Sequence, residues 1–246
     1  MERLERRMIK IENVEIVGWE AAIRGMRNPM NSWDKSDSEM KYENIRDSTG
    51  YLDIGPKDHD LMMRLIQGGD DHGKVARYLD VYVDITAPLY FWKEFRTYRK
   101  GRKFMDDGDD FSDPDALEMF IETNSCSTMH KIHEKEFTIE DFSHEHLFDD
   151  VEGIDWYYDT LVGVIDTLNI ARESYLASKE KRYWWQMIQL LPSSYNQKRT
   201  VKLNYQVLRN MYHARKNHKL DEWRDFCKWI ESLPYSELIT GEEANA

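Results

Sequence analysis

Cysteine, proline and glycine are scarce in this chain: two, six and twelve among 246 residues. Two cysteines cannot build a disulfide framework or a four-thiolate zinc site, which fits a reducing cytoplasm. Nowhere do about 18 apolar residues run together, so no membrane span is expected. The opening MERLERRMIK is charged and lacks the apolar stretch of a secretory signal, so none is expected. No internal repeat and no Pro- or Gly-rich linker interrupts the chain. Bases are also short, 34 against 46 acids for a net charge of −12. Non-specific binding to nucleic-acid polymers draws most of its energy from neutralising phosphates, so this chain is poorly suited to it. A small anionic ligand in a local basic pocket is compatible with that charge, because net charge does not fix the local field.

What is present is ample core material: 41 % hydrophobic and 13 % aromatic residues. This supports a single domain over residues 1–235, followed by a flexible tail over 236–246. Ile11 to Val17 reads as a strand and Trp19 to Met26 as a helix ended near Asn28-Pro29. Asn28 to Tyr51 reads as a long polar loop, and Asp60 to Leu65 as a short helix stopped by Gly68-Gly69. Leu79 to Thr86 alternates apolar Leu79, Val81, Val83 and Ile85 with Asp80, Tyr82, Asp84 and Thr86, the period of a half-buried strand. Pro88 then stands at a first helical position. Leu89, Trp92, Phe95 and Arg99 recur at helical spacing.

Eight acids between Asp106 and Glu122, against only Arg102 and Lys103, mark a solvated acidic insertion at 101–123. A calcium loop is the sharper alternative, but the EF-hand spacing with its terminal Glu is not met. The C-terminal half reads as helices: Gly153 to Ser178, Lys181 to Leu191, Val201 to Arg215, and Asp221 to Leu233. In the first of these, Trp156, Tyr157, Leu161, Val164, Ile165, Leu168 and Ala171 form the apolar stripe.

Several residues suit chemistry. Along Val201 to Arg215, the side chains Val201, Tyr205, Leu208, Met211 and Tyr212 form a stripe. Arg215 falls in its middle and Asn204 on the same side. An inward arginine needs an anion: a structural carboxylate, or a phosphate- or carbonyl-bearing ligand, unless it snorkels to solvent from the last turn. Gln206, Arg209, Asn210 and His213 lie opposite and read as a solvated face. Asn124-Ser-Cys126-Ser127-Thr128 reads as a turn and helix cap, or as hydroxyls and N–H groups offered to a phosphate or nucleobase. Cys126 as a nucleophile needs a base, for which His130 is the candidate. His130, His133, His144 and His146 do not match a zinc pattern, so no metal is expected. Tyr90, Phe91, Trp92, Phe95 and Tyr98, with Trp184 and Trp185, read as core, or as walls for a flat cofactor.

These segments, taken in order, resemble the flavin-dependent thymidylate synthases. Trp19 to Arg24 (WEAAIR) is similar to that family's N-terminal strand-to-helix segment. Leu65 to His72 (LIQGGDDH) and Val81 to Pro88 (VYVDITAP) resemble its central strand and approach. Trp92 to Arg99 falls at the signature Arg-His-Arg, where Arg99 alone matches and Tyr98 replaces the His. Asn124 to His130 (NSCSTMH) falls at Asn-Glu-x-Ser-x-Arg-Tyr: Asn124 and Ser127 match, while Ser125 and Met129-His130 differ. Leu191-Pro192 through Trp223 resembles the final helices, with Asn204, Asn210 and Arg215 at matching spacing and Gln206 in place of an Arg.

The resemblance implies an α/β (α+β) fold with a small, mostly antiparallel sheet packed with long helices, assembled as a homotetramer. It implies FAD-dependent methylation of dUMP to dTMP, with methylenetetrahydrofolate and NADPH as co-substrates. Arg215 and Ser127 would be catalytic. Arg99, Asn204, Asn210 and Tyr98 would face the cofactor, and Asn124, Ser127 and Arg215 the nucleotide. The alternatives are a flavin enzyme for another pyrimidine nucleotide, or a non-catalytic relative that binds nucleotide or protein.

Overall fold

The structure, a computed structural model, describes residues 8–44, 49–69, 71–99, 122–147 and 156–241. Strand β1 (Lys10–Val17) turns through Gly18 into helix α1 (Trp19–Arg27). Gly18 has φ +100°, and a Cβ there would lie 2.0 Å from the Tyr78 carbonyl oxygen, so only glycine fits. The helix ends on Arg27, which is buried together with Asp58.

Residues 28–51, expected as a loop, hold two short 3₁₀ turns and a hairpin of β2 (Glu39–Asn44) and β3 (Thr49–Asp53). Its antiparallel register pairs Glu39 with Asp53 and Lys41 with Tyr51. Helix α2 (Pro56–Gln67) starts four residues before the expected Asp60, because Pro56 sits in its first turn with φ already set. That early start brings Asp58 to Arg27, whose Nε and Nη2 both lie 2.6 Å from Asp58 Oδ1. The other carboxylate oxygen accepts from the Ser36 and Ser38 hydroxyls at 2.6 and 2.7 Å, and from the Asp37 and Ser38 N–H groups at 3.1 and 3.2 Å.

Strand β4 (Asp80–Pro88) buries Val81, Val83 and Ile85, as its alternation predicts. Pro88 precedes helix α3 (Leu89–Phe95) rather than opening it. Phe91, Trp92 and Phe95 of α3 are core residues packed ring against ring. The acidic insertion lies outside the described residues, apart from its last residues on β5 (Glu122–Ser125).

Helices α4 (Trp156–Ser178) and α5 (Lys181–Leu190) follow. Leu161, Ile165, Leu168 and Ala171 of α4 join Ile132, Phe137, Phe142 and Met187 in one apolar cluster. Trp156 and Tyr157, expected in that stripe, are exposed.

Strand β6 (Asn196–Asn204) replaces the first turn of the helix expected from Val201; helix α6 (Tyr205–Arg215) starts only after it. Helices α7 (Asp221–Glu231) and α8 (Glu237–Thr240) complete the chain. Leu238 and Ile239 of α8 are fully buried, so the described part of the expected tail is packed; residues 242–246 lie outside the description. The main sheet has four antiparallel strands in the order β1-β4-β6-β5, an α+β architecture.

By contacts the chain forms two compact units. The first comprises the described parts of Met1–Glu12, Asp84–Thr97 and Thr123–Thr200; the second those of Asn13–Val83, Tyr98–Glu122 and Val201–Ala246. The first contains the α4–α5 cluster, and the second the Arg27–Asp58 pair.

Burial alone would raise the Asp58 pKa, but the Ser36, Ser38, Arg27 and Asp37 hydrogen bonds outweigh it and lower the value. The folded value therefore lies below the unfolded one, about 3.9. The resulting stabilisation is complete above that pH and is lost as pH falls through the folded value. Asp58→Ala should cost about 3–5 kcal/mol at pH 7, because it leaves the Arg27 charge buried alone. In urea unfolding at pH 7 and pH 3, wild type should lose more stability on acidification than the variant.

Candidate functional site

The helix α6 carries two of the sequence-derived site residues, Asn210 and Arg215, and a third, Asn204, ends the strand before it. Asn204 is its N-cap: Oδ1 accepts the Val207 N–H at 3.0 Å. It does not lie on a helical face, because Gln197 to Asn204 alternates buried and less buried residues at period two. Gln206, expected on a solvated face, is 4 % exposed, and its Nε2 donates to Asn210 Oδ1 at 3.3 Å. The helix is therefore buried over a wider arc than its apolar stripe, because the amide pair satisfies its own polarity.

Arg215 in the last turn of α6 is half-buried. Its guanidinium lies 5.1 Å from the ring centroid of Trp223 on α7. Tyr212 of the same helix donates its hydroxyl to Glu231 at 3.0 Å. Along this helix and its cap, the carboxamides of Asn204, Gln206 and Asn210 thus precede the Arg215 guanidinium by one to three turns. Such donors suit carbonyl and phosphate oxygens. The backbone of Arg96–Arg99 forms a 3₁₀ turn; the side chains of Tyr98 and Arg99 lie outside the described residues.

Asn124 and Ser127 belong to the first unit, and both are exposed. Ser127 Oγ accepts the His130 N–H at 2.9 Å and the Met129 N–H at 3.3 Å. That is the turn-and-cap geometry. The neighbouring Cys126 donates its N–H to the Lys198 carbonyl at 3.0 Å and accepts from Gln197 Nε2 at 2.6 Å.

A cavity of about 530 Å³ opens beside Cys126 and is also lined by Lys135, Asp141, Tyr195 and Lys198. Its lysines are engaged, Lys135 with Asp141 at 2.9 Å and Lys198 with Asp84 at 3.1 Å. Burial, reinforced by Asp141, raises the Tyr195 phenol above its ordinary pKa. Cys227 is buried, and its thiol is pushed up to about 12, which leaves it inert. His144 Nδ1 lies 2.8 Å from the Phe142 carbonyl, and the His133 ring packs against Tyr175. Among the described residues no group of three or more His, Cys, Asp or Glu converges.

Within the second unit the structure gathers Gln206, Asn210 and Arg215 on one helix with Asn204 as its N-cap; within the first it sets Asn124 and Ser127 three residues apart. Sequence reading missed the inward pair Gln197 and Arg199. Alternation through KRTVKLN was the available signal, hidden by the helical reading of Val201 onward.

No family model and no curated protein matches the chain. Solved structures do. Thymidylate synthase X from Helicobacter pylori, determined with FAD and dUMP, superimposes with a TM-score of 0.61 at 16 % identity, over 95 % of this chain and 98 % of that one. The flavin-dependent thymidylate synthase of Helicobacter pylori complexed with FAD and dUMP gives 0.59 at 17 %, over 94 % and 99 %. The fold is that of these synthases. At such identity the likeness is one of fold rather than of shared residues.

Asn204→Ala should destabilise the chain by about 1 kcal/mol through loss of the cap, whereas Asn204→Ser should retain most of that stability. Chemical denaturation of the two variants checks this. Equal losses would show that the side chain does something other than cap.

Proposed function

We propose that this protein is a flavin enzyme of the thymidylate synthase type, converting dUMP to dTMP with FAD. Methylenetetrahydrofolate would supply the carbon and NADPH the reducing equivalents. The observation that carries this reading is the end-to-end fold likeness to enzymes solved with FAD and dUMP. The donor set of α6 fits such ligands. It offers amides and a guanidinium, and the cation lies against an indole.

Bound flavin would supply hydride; the side chains bind, orient and polarise. Asn204 and Asn210, with Tyr98 and Arg99, would hold the flavin. Asn124, Ser127 and Arg215 would hold the nucleotide. Arg215 would stabilise negative charge developing on the uracil. The working form would be a cytoplasmic homotetramer.

The alternative, a relative that binds nucleotide without turnover, draws on Ser127. Its hydroxyl is already used by two N–H groups of its own turn. Ser125 and Met129 also stand where the family has Glu and Arg.

Purified protein should be yellow, with flavin absorbance near about 450 nm and roughly one flavin per chain. dUMP should accelerate oxidation of the reduced flavin. Arg215→Ala should abolish dUMP binding while the melting temperature stays within a few degrees. A colourless preparation that added FAD does not stabilise would exclude the flavin reading. Flavin retention without a response to dUMP would favour another pyrimidine nucleotide or a binding-only relative.

A further inference from the structure

Strand β6 carries a second candidate arginine, in the first unit. Arg199 faces inward beside Gln197, and only 6 % of it is exposed. Its Nε donates to Gln197 Oε1 at 3.0 Å. Gln197 is held in turn by its Nε2 bond to the Cys126 carbonyl at 2.6 Å. The guanidinium lies 4.5 Å from the Trp92 ring centroid. Trp92 is itself fixed, its Nε1 donating to the Ala87 and Gln197 carbonyls at 3.0 Å each.

Every one of these partners is neutral. Arg199 Nη1 is buried and makes no hydrogen bond. Among the described residues, the charge that acts on Arg199 is a second cation, the exposed Arg96. Burial first, and Arg96 second, draw the Arg199 pKa down to about 10, which leaves it charged at neutral pH.

A buried cation with an orphaned donor is costly. The indole face and one neutral acceptor offset only part of that cost. Snorkelling does not relieve it at this exposure. Among the described residues no acid is placed against Arg199, so what its charge lacks there is an anion, and a guanidinium fork matches the oxygens of a phosphate group.

We propose that Arg199 and Arg96 form a binding site for a phosphate-class oxyanion, with Gln197 and Trp92 holding the Arg199 guanidinium in place. Neither arginine is assigned to flavin or dUMP above, and Trp92 is fully buried in the core, so the site does not depend on that reading.

The test measures melting temperature against inorganic phosphate, with chloride balancing the ionic strength. Wild type should show a saturable rise of several degrees. Arg199→Met should melt at or above the wild-type temperature without phosphate and should ignore phosphate. Arg96→Ala, a surface change, should leave the phosphate-free temperature unchanged and weaken phosphate binding at least about fivefold. Ribose 5-phosphate in a parallel arm distinguishes the source: a lower midpoint than phosphate assigns an ester, and an equal midpoint the free ion. A wild type indifferent to both overturns the proposal, as does an undiminished response in either variant. If Arg199→Met does not fold, Arg96→Ala decides alone. Flavin content of the same preparations should be unchanged in both variants, so this proposal and the flavin reading fail separately.

Discussion

A guanidinium keeps its proton inside a protein, so an arginine that is buried imposes a demand for negative charge on whatever surrounds it. Arg27 and Arg199, at 4 % and 6 % exposure, both impose it. Around Arg27 the demand is met. Asp58 gives one oxygen to the guanidinium, and the other gathers four donors from Ser36, Asp37 and Ser38. One carboxylate thereby fixes the end of α1, the first turn of α2 and the polar segment between them. The ion pair adds a polar tie to helices that also bury Ala22, Ile23 and Met26 on α1 and Met62 and Ile66 on α2. Around Arg199 the partners are an amide and an indole, which orient the charge without neutralising it.

Strand β6 explains why Arg199 cannot turn outward. Its other face is matched to β4: Lys198 and Thr200 meet Asp84 at 3.1 and 2.6 Å, and Lys202 meets Asp80 at 3.0 Å. A one-residue slip would invert the faces, burying Lys202 and exposing Val201 and Leu203. The polar ladder and the apolar residues thus select the same register, and that register sends Arg199 inward. The same strand ends at Asn204, whose cap starts α6, while the Tyr205 N–H is held by the Leu79 carbonyl at 3.1 Å. The positions of Gln206, Asn210 and Arg215 follow from where β6 stops.

What the sequence disclosed depended on whether one period dominated. β4 was legible because apolar and polar residues alternate over its whole length, and Leu161 to Ala171 of α4 because four buried residues keep helical spacing. The β2–β3 hairpin was not, because EMKYEN and TGYLD carry no sustained apolar face to reveal a period. At the β6–α6 junction two periods overlap. Val201 fits both the strand and a helix extended one turn backward, so the helical reading absorbed the strand and concealed Arg199. Gln206 shows a different limit. Its burial depends on the amide of Asn210, and a pairing between two polar side chains leaves no hydropathy signal. The packing of α8 was obscured by the polar residues that follow Leu238 and Ile239.

A fold held at 16–17 % identity is held by pattern, so shared residues weigh differently according to what else they do. Asn204 caps a helix and Ser127 closes a turn, duties the backbone needs with or without a ligand. Their presence says little about chemistry. Arg199 is another matter. Among the described residues its neighbours are an amide and an indole, and the strand ladder asks only that the side chain at that place point inward, so a methionine would fill it at lower desolvation cost. A side chain that the packing alone would exchange for a hydrocarbon weighs more as a sign of a ligand than one whose hydrogen bonds the backbone needs.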